Sequence, residues 1–158
     1  MLLRNIRNIP VLKEDNAEII GLVDKVVIGD NYKIAYLVIF LNDERKKMID
    51  PSDFNLTSNA VIIQDENRIK SYLHGEELSI YDKKLGDLVF DHSGNELGIV
   101  TDFVLNPENK EVVAIELSAG ILQDLWVARK HVNLSDITWK SESAGVMQRK
   151  GIDVNGSQ

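Results

Sequence analysis

Residues 97–105 have the sequence LGIVTDFVL, followed by the turn Asn106–Lys110 and by a second apolar run, Val112–Leu117. Both runs are rich in Val, Ile and Leu, and Asn, Asp, Gly or Pro residues lie on either side of them. This pattern is typical of β-strands joined by tight turns. The same pattern recurs along most of the chain, so the sequence predicts an all-β protein.

Strict alternation along residues 97–105 places Ile99 and Phe103 on one face of a strand and Val100 and Val104 on the other. Because both faces are largely apolar, the run favours a tightly curved small barrel over a flat sheet with one wet face. We expect Val100, Phe103, Val104 and Ile115 to lie in a core.

The first half of the chain repeats the pattern of the second half at a shift of 77 residues. Apolar positions and turns coincide along most of this shift, and six positions are identical. The pattern therefore indicates a duplication of one all-β unit. The matched segments are Ile20–Val23 with Leu97–Val100, Tyr36–Phe40 with Val113–Leu117 and, after one extra residue, Phe54–Leu56 with Val132–Leu134.

The duplication predicts two small β-barrels in tandem. We expect a first, divergent unit over residues 1–75, a second over residues 79–142 and a C-terminal tail over residues 143–158. A unit of this size buries a smaller fraction of its surface than a chain of twice its length does. The two barrels are therefore expected to pack on each other.

Charge and composition narrow the range of functions. The chain of 158 residues has 18 Lys and Arg against 25 Asp and Glu, a net charge of −7, which argues against binding duplex nucleic acid or anionic lipid. It has no cysteine, so disulfides and thiolate chemistry are excluded, and a cytoplasmic location is expected. The longest apolar run, Ile34–Leu41, is too short to span a membrane.

Residues 85–102, with the sequence LGDLVFDHSGNELGIVTD, resemble the opening of a PRC-barrel domain. The resemblance continues through Leu105–Pro107 and Val112–Ile115 and ends near Trp126 and Val132. This family is named for a domain of the photosynthetic reaction centre H subunit, and it also occurs at the C-terminus of ribosome maturation factors. The first half of the chain resembles the family more faintly.

The resemblance implies two PRC-barrel-like units and a function in binding rather than catalysis, with no cofactor. Proteins with this barrel resemble adaptor or assembly modules, so we expect a non-catalytic module that binds another protein. The alternative is an RNA- or ribosome-associated processing or assembly factor. Within the pattern, Gly94 fits a left-handed turn, while Gly98 and its counterpart Gly21 fit bends or close approaches between strands.

Other side chains give weak signals for chemistry. The spacing of His74, His92 and His131 does not suit a metal site, and the loop 91–96 is better explained as a hairpin turn than as a calcium loop. The basic clusters Arg45–Lys47 and Arg129–His131 lack the interleaved aromatic residues of an RNA-stacking surface, which favours solvated loops.

One connection stands out as a candidate interaction site. After the strand that ends at Leu117, residues 118–126 carry apolar side chains where the first copy has a charged connection. These side chains either form the seam between the barrels, bind a partner or a second copy of the chain, or are simply exposed. They are Ile121, Leu122, Leu125 and Trp126.

Overall fold

The computed structural model describes residues 1–72, 79–119, 129–141 and 144–147. It is nearly all β, with two separate sheets that each curl into a half-barrel, so the predicted fold class of two tandem barrel-like units is confirmed. The chain divides into two compact units, which are Met1–Lys83 with Leu105–Glu111, and Lys84–Val104 with Val112–Gln158. In the described part of the chain, none of the helices has the length and apolar character needed to cross a membrane.

The first sheet has seven strands in the order β5-β6-β1-β2-β3-β4-β7. Its central strands β1 to β4 form an antiparallel meander, and β6 joins the free side of β1 in parallel. The strands are β1 (Pro10–Lys13), β2 (Ile19–Ile28), β3 (Ile34–Leu41), β4 (Lys46–Ile49), β5 (Phe54–Leu56), β6 (Val61–Ile63) and β7 (Lys70–Ser71).

The second sheet has six strands in the order β11-β10-β9-β8-β13-β12. The parallel pair β8 and β13 corresponds in this order to the parallel pair β1 and β6 of the first sheet. Apart from β7, both sheets therefore follow the same sequence of connections. The strands are β8 (Leu88–Phe90), β9 (Glu96–Asn106), β10 (Glu111–Ser118), β11 (Lys130–Asn133), β12 (Ile137–Ser141) and β13 (Ala144–Met147).

The two strand orders locate equivalent segments differently from the sequence shift beyond the third strand. Phe54 lies in β5 and pairs with β6, whereas Val132 lies in β11 and pairs with β10. In both sheets a single 3-10 turn precedes the strand that pairs with the parallel strand, and these turns are Pro51–Asp53 and Leu134–Asp136. The equivalent of β5 is thus β12, so more residues separate the later strands than the sequence match allowed.

Helical structure is confined to short turns. Four 3-10 turns and one short α-helix are present in the described residues. Ser79, directly before the α-helix, accepts a hydrogen bond at its Oγ from the Ile28 N–H at 2.9 Å, which ties the start of this helix to the end of β2. The helical segments are Leu3–Asn5, Pro51–Asp53, Glu66–Arg68 and Leu134–Asp136, together with α1 (Ile80–Lys84).

The core of the first unit lies on the face of the meander that carries Val23, Leu37 and Ile39, which are fully buried. In β2 the register against β3 shifts between Val23 and Lys25, so Asp24 is an extra residue in this strand. A bulge of this kind bends the strand and strengthens its twist. It allows one strand to contribute to the curled sheet along its whole length.

The tip of the hairpin between β9 and β10 belongs to the first unit. The Leu105 N–H donates to the Met1 carbonyl at 2.7 Å, and the Ile34 N–H donates to the Lys110 carbonyl at 2.9 Å. Lys110 Nζ also donates to the Pro51 carbonyl at 2.7 Å, and burial lowers the pKa of this amine. The chain therefore returns to its first unit after β8 and most of β9 have been laid down.

Candidate functional site

The predicted interaction residues lie outside the described part of the chain. Ile121, Leu122, Leu125 and Trp126 belong to residues 120–128, for which the structure gives no description. Residues 73–78, which contain the predicted boundary between the units, are also outside it. The interaction site at residues 121–126 and the unit boundary therefore stay predictions.

Gly21 and Gly98 both lie where the backbones of two neighbouring strands come close. A Cβ atom at Gly21 would meet the Phe40 carbonyl oxygen at less than 3.0 Å, and one at Gly98 would meet the Ser118 carbonyl oxygen at less than 3.0 Å. Gly98 also has a φ of 146°, which side chains disfavour. Both positions thus have a structural role that only glycine fulfils.

Gly94 lies in the turn between β8 and β9 with a φ of 85°. The carboxylate of Asp91 organises this turn, since its Oδ1 accepts the N–H groups of Ser93 at 2.8 Å and Asn95 at 2.9 Å. Hydrogen bonds from Asn95 and Ser93 lower the pKa of Asp91. The oxygen ligands that suggested calcium are therefore engaged with the turn's own N–H groups.

A pair of large apolar side chains is exposed on the first sheet. Leu22 of β2 and Phe40 of β3 are direct cross-strand partners, and they are 45% and 40% exposed. Pro10 pairs with Leu22 on one side, and Lys46 pairs with Phe40 on the other. We call Leu22 and Phe40 the apolar patch.

The apolar patch forms one wall of an open groove of about 570 Å³. The groove continues past Gly21 to the turn after β3, where Asn42 and Glu44 line it. Lys46 closes the opposite side, with its ammonium 5.0 Å from the centre of the Phe40 ring and 3.1 Å from Asp24. The lack of a side chain at Gly21 contributes to the depth of this groove.

Sequence reasoning did not identify this patch, because Leu22 and Phe40 look like ordinary core positions of two strands. The shift of 77 residues matches Phe40 with Leu117, which is buried, so the repeat gives no warning that Phe40 is exposed. The only available signal was the excess of apolar residues on both faces of residues 34–41.

A second group of interest surrounds a buried carboxylate in the second unit. Glu116 of β10 is only 3% exposed. Its Oε1 accepts hydrogen bonds from Thr101 Oγ1 at 2.8 Å and from Arg129 Nη1 at 3.0 Å. His131, the direct partner of Glu116 on β11, has its Nε2 at 3.7 Å from Oε2.

The Glu116 group joins three neighbouring segments by charge-assisted hydrogen bonds, which are stronger than neutral ones. The first sheet has the fully buried Ile39 at the corresponding place, opposite Lys47 of β4. Because Arg129 and His131 are about half exposed, the group resembles an ion pair that orders the edge of the sheet. Within the ranges that the structure describes, no three His, Cys, Asp or Glu side chains come together as a metal site would require.

The two basic clusters have carboxylate partners. Arg45 pairs with Asp43 and Lys46 with Asp24 in the first cluster. In the second cluster both Arg129 and His131 face Glu116. These cations are therefore partly neutralised within the protein, which reduces their availability for phosphate groups.

Comparison with known proteins adds no assignment. No family model matches the chain, and no curated protein matches it either. The resemblance to PRC-barrel domains consequently rests on the residues quoted from the sequence.

Proposed function

We propose that the protein is a non-catalytic, cytoplasmic protein-binding module, formed by tandem duplication of one PRC-barrel-like unit. The matching strand orders of the two sheets support the duplication. The lack of cysteine in the sequence supports a reducing compartment. The resemblance to adaptor domains supports binding rather than catalysis.

The observation that carries this proposal is the apolar patch. Leu22 and Phe40 expose large apolar surfaces next to each other, above a groove that can receive a side chain. Removing apolar surface from water is favourable, and adjacent exposed apolar residues beside a pocket are typical of protein interaction sites. A partner that covers both side chains would gain from this burial without requiring any change in the sheet.

The rival function, an RNA- or ribosome-associated factor, draws on the resemblance to the ribosome maturation factors. RNA binding depends on cations that can contact phosphates. In both basic clusters the structure pairs cations with carboxylates, so the patch is the stronger candidate. The same experiment can compare the two functions.

The test is a pull-down from the organism that encodes the chain, with the full-length protein as bait. Phe40→Ser is the test variant, and Val113→Ser is its matched control, because Val113 is an equally exposed apolar strand residue in β10 at 41%. We expect Phe40→Ser to lose a protein partner that both the unmodified chain and Val113→Ser retain. Circular dichroism of each bait verifies that it is folded.

Two results would contradict the proposal. Recovery of the same partners by all three baits would show that the patch is not the binding surface. Loss of the partner after ribonuclease treatment would support the RNA-associated function instead.

A further inference from the structure

Two acidic turns flank one side of the apolar patch. The turn after β1 contains Glu14 and Asp15, and the turn after β3 contains Asp43 and Glu44. Asn42 Nδ2 donates to the Ile19 carbonyl at 2.8 Å, which ties the second turn to the start of β2, directly after the first turn. The carboxylates of both turns therefore lie at the side of the patch where β2 begins and β3 ends.

Most of this negative charge is not neutralised within the described residues. Asp43 pairs with Arg45, but Glu14, Asp15 and Glu44 make no ion pair there. All three are exposed, and Glu44 lines the groove itself. The groove thus has an apolar wall and an acidic end.

We infer that the apolar patch binds a basic amphipathic segment of a partner protein, in which an aliphatic or aromatic side chain is followed by Lys or Arg. The apolar side chain would cover Leu22 and Phe40, and the cations would meet Glu44 and the acidic turns. This inference rests on the proposed function and specifies the chemistry of its partner. Complementary charge steers such a segment to the patch and orients it there.

A second copy of the chain fits this surface less well. The chain has a net charge of −7, so two copies repel each other at low ionic strength. A basic segment gains from the same charge. Self-association is accordingly an outcome that the test distinguishes.

The test uses three fluorescein-labelled peptides of equal length and the full-length protein. The first peptide alternates Leu and Phe with Lys, the second has Glu in place of Lys, and the third has Ser in place of Leu and Phe. Fluorescence anisotropy measures the dissociation constant of each. We expect the first peptide to bind more tightly than the others and to weaken as salt is added.

Variants locate the binding on the protein. Phe40→Ser should weaken the first peptide about tenfold, which is typical of losing one apolar anchor. Glu44→Lys should weaken it about threefold or more, because it reverses a rim charge. The matched controls are Val113→Ser and Glu96→Lys, which make the same changes at exposed positions in the second sheet and should leave binding unchanged.

Several results would overturn the inference. They are failure of the first peptide to bind, equal binding of the Glu peptide, equal effects of test and control variants, and a dimer in analytical ultracentrifugation that Phe40→Ser dissociates. A partner whose capture depends on Phe40 but not on Glu44 would contradict only the basic character of the segment. A partner whose capture does not depend on Phe40 would contradict the proposed function itself.

Discussion

Gly98 combines two constraints that most glycines of the chain lack. Its φ of 146° is disfavoured for any side chain, and the Ser118 carbonyl occupies the place of a Cβ atom. Gly94 shares a positive φ but faces open space. The comparison separates the cost of a contact between strands from the cost of a turn conformation.

We expect Gly98→Ala to lower the free energy of unfolding by at least about 2 kcal/mol, through backbone strain and the displacement of β10. Gly94→Asn should change it by less than about 1 kcal/mol, since Asn tolerates the left-handed region. Urea denaturation followed by circular dichroism measures both. Similar values for the two variants would contradict the close approach at Gly98.

Glu116 is a carboxylate at a place where the first sheet has the apolar Ile39. Burying a charge costs free energy that its partners recover only in part. Arg129 and His131 are half exposed, so they can return to water if the carboxylate is removed. The group therefore contributes more to the order of the sheet edge than to its stability.

We predict that Glu116→Ile is at least as stable as Glu116→Gln, because the isoleucine restores apolar burial while the glutamine keeps a buried polar group. Glu116→Gln should cost about 1–2 kcal/mol, the value of weakened hydrogen bonds to a charged group. The unfolding free energies come from chemical denaturation at neutral pH. A Glu116→Ile variant more than about 3 kcal/mol less stable than the original chain would mean that the buried ion pair is essential.

The strand β9 changes the face that it buries part of the way along. Val100 and Phe103 are both fully buried, although strict alternation puts them on opposite faces, and Val104 is half-buried. The change falls at Asp102, whose Oδ1 accepts the N–H of Phe103 at 2.8 Å. The bulge in β2 lies at the position that matches this change at a shift of 77 residues.

We expect Phe103→Ala to cost about 3–5 kcal/mol, the usual range for truncating a fully buried aromatic side chain. Val113→Ala, at an exposed position of the neighbouring strand, should change stability by less than about 0.5 kcal/mol. Chemical denaturation of both variants provides the comparison. A small effect at Phe103 would show that its side chain is not in the core.

The strands themselves were predictable because their Val and Ile runs and turn residues are local signals. The run Ile34–Leu41 and its counterpart at 111–118 both form single strands, β3 and β10, at the predicted shift. The buried faces were only partly predictable, since a bulge such as that at Asp24 is set by contacts with the next strand. The apolar patch could not be predicted, because the exposure of Phe40 depends on what the folded chain places above it.

The two units share strands and cannot be separated by a single cut in the chain. β9 begins in the second unit and ends in the first, and β10 runs back from the first to the second. Such an arrangement couples the stability of the units through continuous backbone. Their unfolding should therefore be one cooperative transition.

This coupling can be measured because Trp126 and Trp139 both belong to the second unit. Ile39→Ala, at a fully buried position of the first unit, should lower stability by about 2–5 kcal/mol. We expect the tryptophan fluorescence transition to move together with the circular dichroism transition. If fluorescence stays unchanged while circular dichroism shifts, the units unfold independently.

The return of residues 105–111 to the first unit has a consequence for folding during synthesis. Translation proceeds at about 5–20 residues per second, so the 28 residues between Lys83 and Glu111 take roughly 1–6 s to add. During that interval the emerging chain lacks the hydrogen bonds that Met1 and Ile34 make with Leu105 and Lys110. Vectorial folding from the N-terminus is therefore incomplete in this protein, and its first unit matures only while its second unit is already being translated.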